Sequence, residues 1–104
     1  MRGEVWLVVL DPTIGREIKK TRPALVVSPD ELNVDLETVI VSPMSTGGLP
    51  APFRIPLVFQ GKKGLILADQ IRTVDKQRLL HRVGRIPGKT LAQTLKILQE
   101  MFVE

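Results

Sequence analysis

The feature that most constrains this chain is its punctuation. Short apolar runs, several of them with a two-residue repeat, are cut at close intervals by proline and glycine, eight of each in 104 residues. Only one segment, near the C-terminus, carries a helical repeat. Runs of this length bounded by such breakers read as short, mostly antiparallel strands.

Between Glu4 and Leu10, Val5, Leu7 and Val9 share one face, and Trp6, Val8 and Leu10 share the other. Such a strand is buried on one side and partly covered on the other. Asp11-Pro12-Thr13 stops it, and Pro23 pre-sets a second strand over Ala24–Ser28. Pro29 to Asn33 reads as a turn or a single helical turn. The β-branched run Thr38–Val41 is expected to stop at Ser42-Pro43. Met44 to Pro52, with two glycines and two prolines, then reads as a loop. Phe53–Phe59 and Gly64–Ala68 form a hairpin about Gln60-Gly61. Thr73–Lys76 looks like the cap and first turn of a short helix ending near Leu80, and His81–Ile86 is one more strand. In the terminal helix, Thr90-Leu91-Ala92-Gln93 has capping-box spacing, and Leu91, Leu95, Leu98 and Phe102 fall on one core-facing stripe. The pattern predicts a single domain over residues 1–104: mostly β with a C-terminal helix, an SH3-like small barrel.

Composition narrows the chemistry. There is no cysteine, so neither a disulfide nor thiolate-bound zinc supports the fold, as suits a reducing cytoplasm. No apolar run approaches the ~18 residues a membrane span needs, and no secretory leader is visible, so a soluble cytoplasmic protein is expected. The net charge is +4 and the pI about 9.9. Arg16, Lys19, Lys20 and Arg22 fall within seven residues, with Glu17 the only acid among them. A second basic group comprises Arg72, Lys76, Arg78, His81, Arg82, Arg85 and Lys89. If the fold joins the two groups, they form a footprint for a phosphate chain.

The usual catalytic apparatus is sparse. There is no glycine-rich phosphate loop, and His81 is the only histidine, so neither a two-histidine metal site nor a histidine acid–base pair can be built. An enzyme made from this chain works with Arg, Ser or Thr, and carboxylates. RNA cleavage without a metal needs little more, because the nucleophile is the substrate's own 2′-hydroxyl. The protein must align that hydroxyl, neutralise charge on the phosphate oxygens and move protons. A guanidinium suits the charge, a short hydroxyl can fix one oxygen, and a carboxylate can take the proton. Arg22, held extended before Pro23, suits the first role. Ser45 or Thr46 suits the second, and Glu17, an acid among basic residues, is a candidate for the third. Asp69-Gln70 also offers an acid and an amide to a base edge.

In order and spacing these residues resemble the MazF/PemK family of bacterial toxins. The resemblance runs through Arg2-Gly3-Glu4-Val5-Trp6, Leu10-Asp11-Pro12-Thr13, Gly15-Arg16-Glu17, Thr21-Arg22-Pro23 and Val27-Ser28-Pro29. It continues at Ser42-Pro43-Met44-Ser45-Thr46 and Ala68-Asp69-Gln70-Ile71-Arg72-Thr73-Val74-Asp75. It implies a homodimeric, metal- and cofactor-independent endoribonuclease that cuts short sequences in single-stranded RNA. The implied products are a 2′,3′-cyclic phosphate and a 5′-hydroxyl, and the implied inhibitor is an antitoxin with an acidic, disordered tail.

By the same resemblance, Arg22 is the catalytic arginine, Ser45 stands where a threonine is usual with Thr46 beside it, and Glu17 matches an acid implicated in some members. Asp69 matches the base of the PemK branch, whose histidine and second arginine are replaced here by Arg16 and Leu67. Gln70 matches a base-reading residue, and Arg16, Lys19, Lys20, Thr46, Asp69, Gln70 and Arg72 are the expected RNA contacts. A non-enzymatic gyrase poison of the CcdB kind shares the fold. That mode depends on a C-terminal tail with tryptophan, whereas this chain ends Phe102-Val103-Glu104 and has its one tryptophan at Trp6.

Overall fold

Two prolines divide the sheet. The computed structural model describes residues 1–10 and 21–104. Strands β1 (Glu4–Val9), β2 (Thr21–Val26) and β3 (Thr38–Thr46) lie side by side and antiparallel, with the short helix α1 (Asp30–Asp35) between β2 and β3. The β2–β3 ladder pairs Val26 with Val41, Leu25 with Ser42 and Ala24 with Pro43. Pro23 and Pro43 carry no amide hydrogen, so the ladder has no donors there with which to continue. Strand β3 nevertheless runs on to Thr46, because β5 (Lys62–Leu67) takes it up from Met44. The stop expected at Ser42-Pro43 is thus a change of partner, and Met44–Thr46 is strand, not loop.

Strand β4 (Arg54–Phe59) forms the expected hairpin with β5. At its turn Gln60 and Gly61 both adopt positive φ, 51° and 78°, as a two-residue hairpin loop requires. After β5 the chain makes a 3₁₀ turn at Ala68–Gln70 and returns to β3 as β6 (Arg72–Asp75). Thr73 and Val74 are therefore strand. The short helix expected from Thr73 to near Leu80 is instead a 3₁₀ turn over Lys76–Arg78, with Leu79 and Leu80 in strand; its cap is Asp75, whose carboxylate accepts the Gln77 amide at 2.8 Å. Strand β7 (Leu79–Arg85) closes against β1, and α2 (Gly88–Met101) follows.

The strand order is β4-β5-β3-β2-β1-β7, with β6 beside β3. The two end strands are not paired to each other, so the expected closed barrel is an open, curved sheet. Strand β4 carries Pro56, which offers no amide to a further strand, and β7 slips register twice against β1. In place of a ladder, the Gln60 side-chain amide donates to the Val83 carbonyl at 2.9 Å, and the Phe59 ring lies against Gly84.

Both faces of the sheet are apolar. One buries Val5, Leu25, Val27, Met44, Ile55, Ile66, Ala68 and Ile86, with Leu91, Leu95, Ile97, Leu98 and Met101 packed on them. The other buries Val8, Leu10, Ala24, Val26, Val39, Val41 and Val74 beneath Met1, Trp6 and Leu79. Helix α2 departs from expectation at both ends. It starts from Pro87, whose carbonyl accepts the Leu91 amide at 3.0 Å, so Thr90 lies inside the helix and makes no capping box. It ends at Met101, which leaves Phe102 72% exposed and off the stripe. Among the described residues no helix is long and apolar enough to cross a membrane. The strand stop at Asp11-Pro12-Thr13 and the charged residues Arg16, Glu17, Lys19 and Lys20 lie outside the described residues.

Candidate active site

The fork that the two prolines make is where the hydroxyl and guanidinium candidates meet. Arg22 faces Val8 across the β1–β2 ladder, is exposed, and is held extended by Pro23. It borders two clefts. One is lined with it by Thr21, Pro23, Met44, Ser45 and Thr46. The other is lined with it by Leu10, Pro43, Leu67, Gln70 and Arg72. The divergence of β2 from β3 beyond Pro43 opens the first cleft, and the 3₁₀ interruption between β5 and β6 brings Gln70 to the second.

Ser45 is half-buried, and its hydroxyl donates to the Gly47 carbonyl at 3.3 Å; Thr46 beside it is exposed. Successive strand residues point to opposite faces, so the two hydroxyls are aimed differently from one backbone. That backbone is set by Gly64, paired with Thr46 in the β3–β5 ladder. A Cβ at residue 64 would lie 2.3 Å from the Ser45 carbonyl oxygen, so only glycine permits this approach.

The carboxylate candidate among the described residues is engaged elsewhere. Asp69 is held by Arg54 through two contacts, Nε–Oδ1 at 3.3 Å and Nη2–Oδ2 at 3.4 Å, which is the forked geometry of an arginine–carboxylate pair. Arg72 donates through Nη1 to the Leu10 carbonyl, and Arg78 donates through Nη1 to the Val9 carbonyl at 3.2 Å. Both guanidiniums are thereby anchored at the end of β1, and Arg72 lines the same cleft as Arg22.

The rest of the second basic group disperses. Lys76 donates to the Asn33 carbonyl beside α1, Arg82 lies 3.5 Å from Glu4, and Arg85 packs near Gly3. The described structure thus brings together Arg22, Ser45, Thr46, Gln70 and Arg72, while Asp69 sits one residue away in a pair of its own. No group of three or more His, Cys, Asp or Glu suited to a metal occurs among the described residues. Pro43, Arg54 and Gly64 shape the site without having been among its expected residues. The lone glycine inside a strand pattern was the available sign of a close backbone approach.

A family model described as PemK-like, MazF-like toxin of type II toxin–antitoxin system matches residues 1–102. The chain is 39% identical over 100 residues to Endoribonuclease PemK of Escherichia coli, spanning 90% of this chain and 75% of that protein. It is 36% identical over 103 residues to Endoribonuclease MazF9 of Mycobacterium tuberculosis, spanning 88% of this chain and 86% of that one. Among solved structures, a MazE–MazF crystal structure from Deinococcus radiodurans superposes with a TM-score of 0.84 at 27% identity, covering 96% of this chain and 92% of that chain.

Proposed function

The chain belongs to the PemK-like, MazF-like family of toxins of type II toxin–antitoxin systems, and on that premise we propose that it is a metal-independent endoribonuclease that cuts single-stranded RNA at short sequences. The observation that carries the reading is the meeting of Arg22 with Ser45 and Thr46 in one cleft. The 2′-hydroxyl attacks the adjacent phosphorus as its proton passes to a carboxylate, the bond from phosphorus to the 5′-oxygen of the next nucleotide breaks, and that oxygen takes up a proton from solvent as it leaves. The products are a 2′,3′-cyclic phosphate and a 5′-hydroxyl. Arg22 neutralises the charge that builds on the non-bridging oxygens, where a permanently charged guanidinium offers paired donors. Ser45 holds one of those oxygens by exchanging its long bond to the Gly47 carbonyl for a shorter one to phosphate. Both carboxylate oxygens of Asp69 are already held by Arg54, which favours Glu17 as the proton acceptor. Gln70 and Arg72 contact the RNA in the second cleft, and Arg16, Lys19 and Lys20 contact it from the preceding segment.

The partners in this reading are a second copy of the chain and an antitoxin whose acidic tail competes with RNA for the same cations. The place of action is the cytoplasm, where the transcripts are. Incubating the purified protein with a long RNA in EDTA tests the proposal. Discrete cuts whose 3′ ends carry cyclic phosphate support it. Intact RNA in EDTA with cutting restored by a divalent cation removes the metal-independent mechanism, and intact RNA in both removes the assignment.

A further inference from the structure

Between the open ends of the sheet lies a cavity of about 310 Å³. Its walls are Leu7, Pro23, Met44, Leu57, Phe59 and Val83, drawn from five strands. It occupies the same face as α2, yet no residue of α2 lines it, so it is the part of that apolar trough the helix leaves uncovered. The side chains of Gln60 and Lys62, at the hairpin turn, add an amide and a cation to its lining. Pro23, Met44, Ser45 and Thr46 belong both to this cavity and to the cleft beside Arg22, so the two spaces adjoin along β3.

We infer that this cavity receives one unpaired nucleobase of the RNA, the base flanking the phosphate held at Arg22. The inference rests on the proposed ribonuclease activity and extends it to substrate recognition. The volume stands at the small end of ligand-binding cavities, roughly 300–1,000 Å³, which suits one planar ring system. The half-buried ring of Phe59 supplies a π-face, and the Met44 thioether is a polarisable neighbour for an aromatic ring. Lys62 supplies a cation for the phosphate of the seated nucleotide. Gln60 already donates its amide to Val83, and its side-chain carbonyl is an acceptor for a base edge. Because Pro23, Met44, Ser45 and Thr46 line both spaces, a nucleotide whose phosphate sits at Arg22 has the cavity beside it.

The test uses the full chain and an RNA carrying 2-aminopurine at the nucleotide flanking the mapped cut, with a 2′-deoxy sugar at the cut to block cleavage. Stacking on Phe59 should quench the probe in the wild-type complex. Val83→Phe fills the cavity, and Phe59→Leu removes the π-face while keeping the wall apolar, so the second remains informative if the first does not fold. Each should weaken the quench and lower kcat/KM by about tenfold, carried mainly in KM. An unchanged quench and unchanged KM in folded Phe59→Leu protein overturns the inference. So does a loss of self-association in Val83→Phe with KM unaltered, which would make the cavity a seat for a second copy of the chain. If the wild type cuts no RNA at all, it is the proposed activity that fails; if it cuts and the variants match it, only the base pocket fails.

Discussion

The two ends of β3 treat their polar groups in opposite ways. At its start, beside α1, the buried side chains of Ser28 and Asn33 are fully engaged. Ser28 donates to Asn33 and accepts the Ile40 amide at 3.0 Å, and Asn33 donates to the Ser28 carbonyl at 2.9 Å and to Asp30 at 3.2 Å. Asp30 also accepts the Arg2 amide at 2.9 Å and lies 3.3 Å from the N-terminal ammonium, while Lys76 caps the Asn33 carbonyl. At the other end, two prolines withhold their donors, the Ser42 hydroxyl is buried without a partner among the described residues, and Ser45 has only a long bond to Gly47. A saturated network fixes the chain. Groups with weak or no internal partners can be spent on a ligand, and the contrast separates the anchoring end of the strand from its working end.

The comparison can be broken by substitutions that exchange the two behaviours. Arg22→Ala should lower cleavage by about 10²–10³-fold, as loss of a donor to developing charge does, while the urea midpoint stays at the wild-type value because Arg22 is exposed. Parallel loss of stability would place Arg22 with the anchors. Gly64→Ala drives a Cβ into the Ser45 carbonyl and should reduce cleavage by up to about 10²-fold through misplacement of that segment. It should also cost about 1–3 kcal/mol from overpacking, read in one chemical-denaturation series with matched kinetics.

Asn33→Ala should do the reverse. It strips partners from Ser28 and costs about 2 kcal/mol, with turnover per folded molecule unchanged; a specific loss of turnover would refute the division. Ser45→Ala and Thr46→Ala, compared in single-turnover assays, sharpen the working end. An effect of about tenfold or more confined to Ser45→Ala assigns it the phosphate, and the opposite result transfers that role to Thr46. The smallest effect belongs to pH. The Arg2 amide, the Asn33 amide and the N-terminal ammonium hold the Asp30 carboxyl below the ordinary carboxylate value. Its contribution to stability is therefore full above the unfolded-state value and fades as pH falls through the lower folded-state value. Asp30→Asn should flatten that acid limb, and an unaltered limb in the variant would show that other carboxylates set it.

What the sequence disclosed was what local pattern encodes. The alternation in β1, the Gln60-Gly61 hairpin and the Leu91, Leu95, Leu98 stripe are set by neighbours in the chain, and all three appear in the structure. Arg22 was legible because it stands before Pro23, and Ser45 and Thr46 because they follow Pro43; the fold brings the three to one cleft. Non-local pairing was not legible. Pro43 looks like an end because nothing nearby says that β5 will receive β3 on the far side. Asp69 looks free because Arg54 is fifteen residues away. The barrel failed to close for a similar reason: Pro56 and the two slips in β7 matter only once the strands at the two ends are known. The capping box at Thr90 lost to Pro87, which already presents its carbonyl to the Leu91 amide.

The seam between β4 and β7 carries no backbone ladder, unlike every joint of a closed cylinder. Held by the Gln60–Val83 bond and the Phe59 ring on Gly84, it can spread without breaking any rung of backbone pairing. Substitutions at Gln60, Phe59 or Gly84 would therefore change how the seam is held while leaving every backbone rung in place.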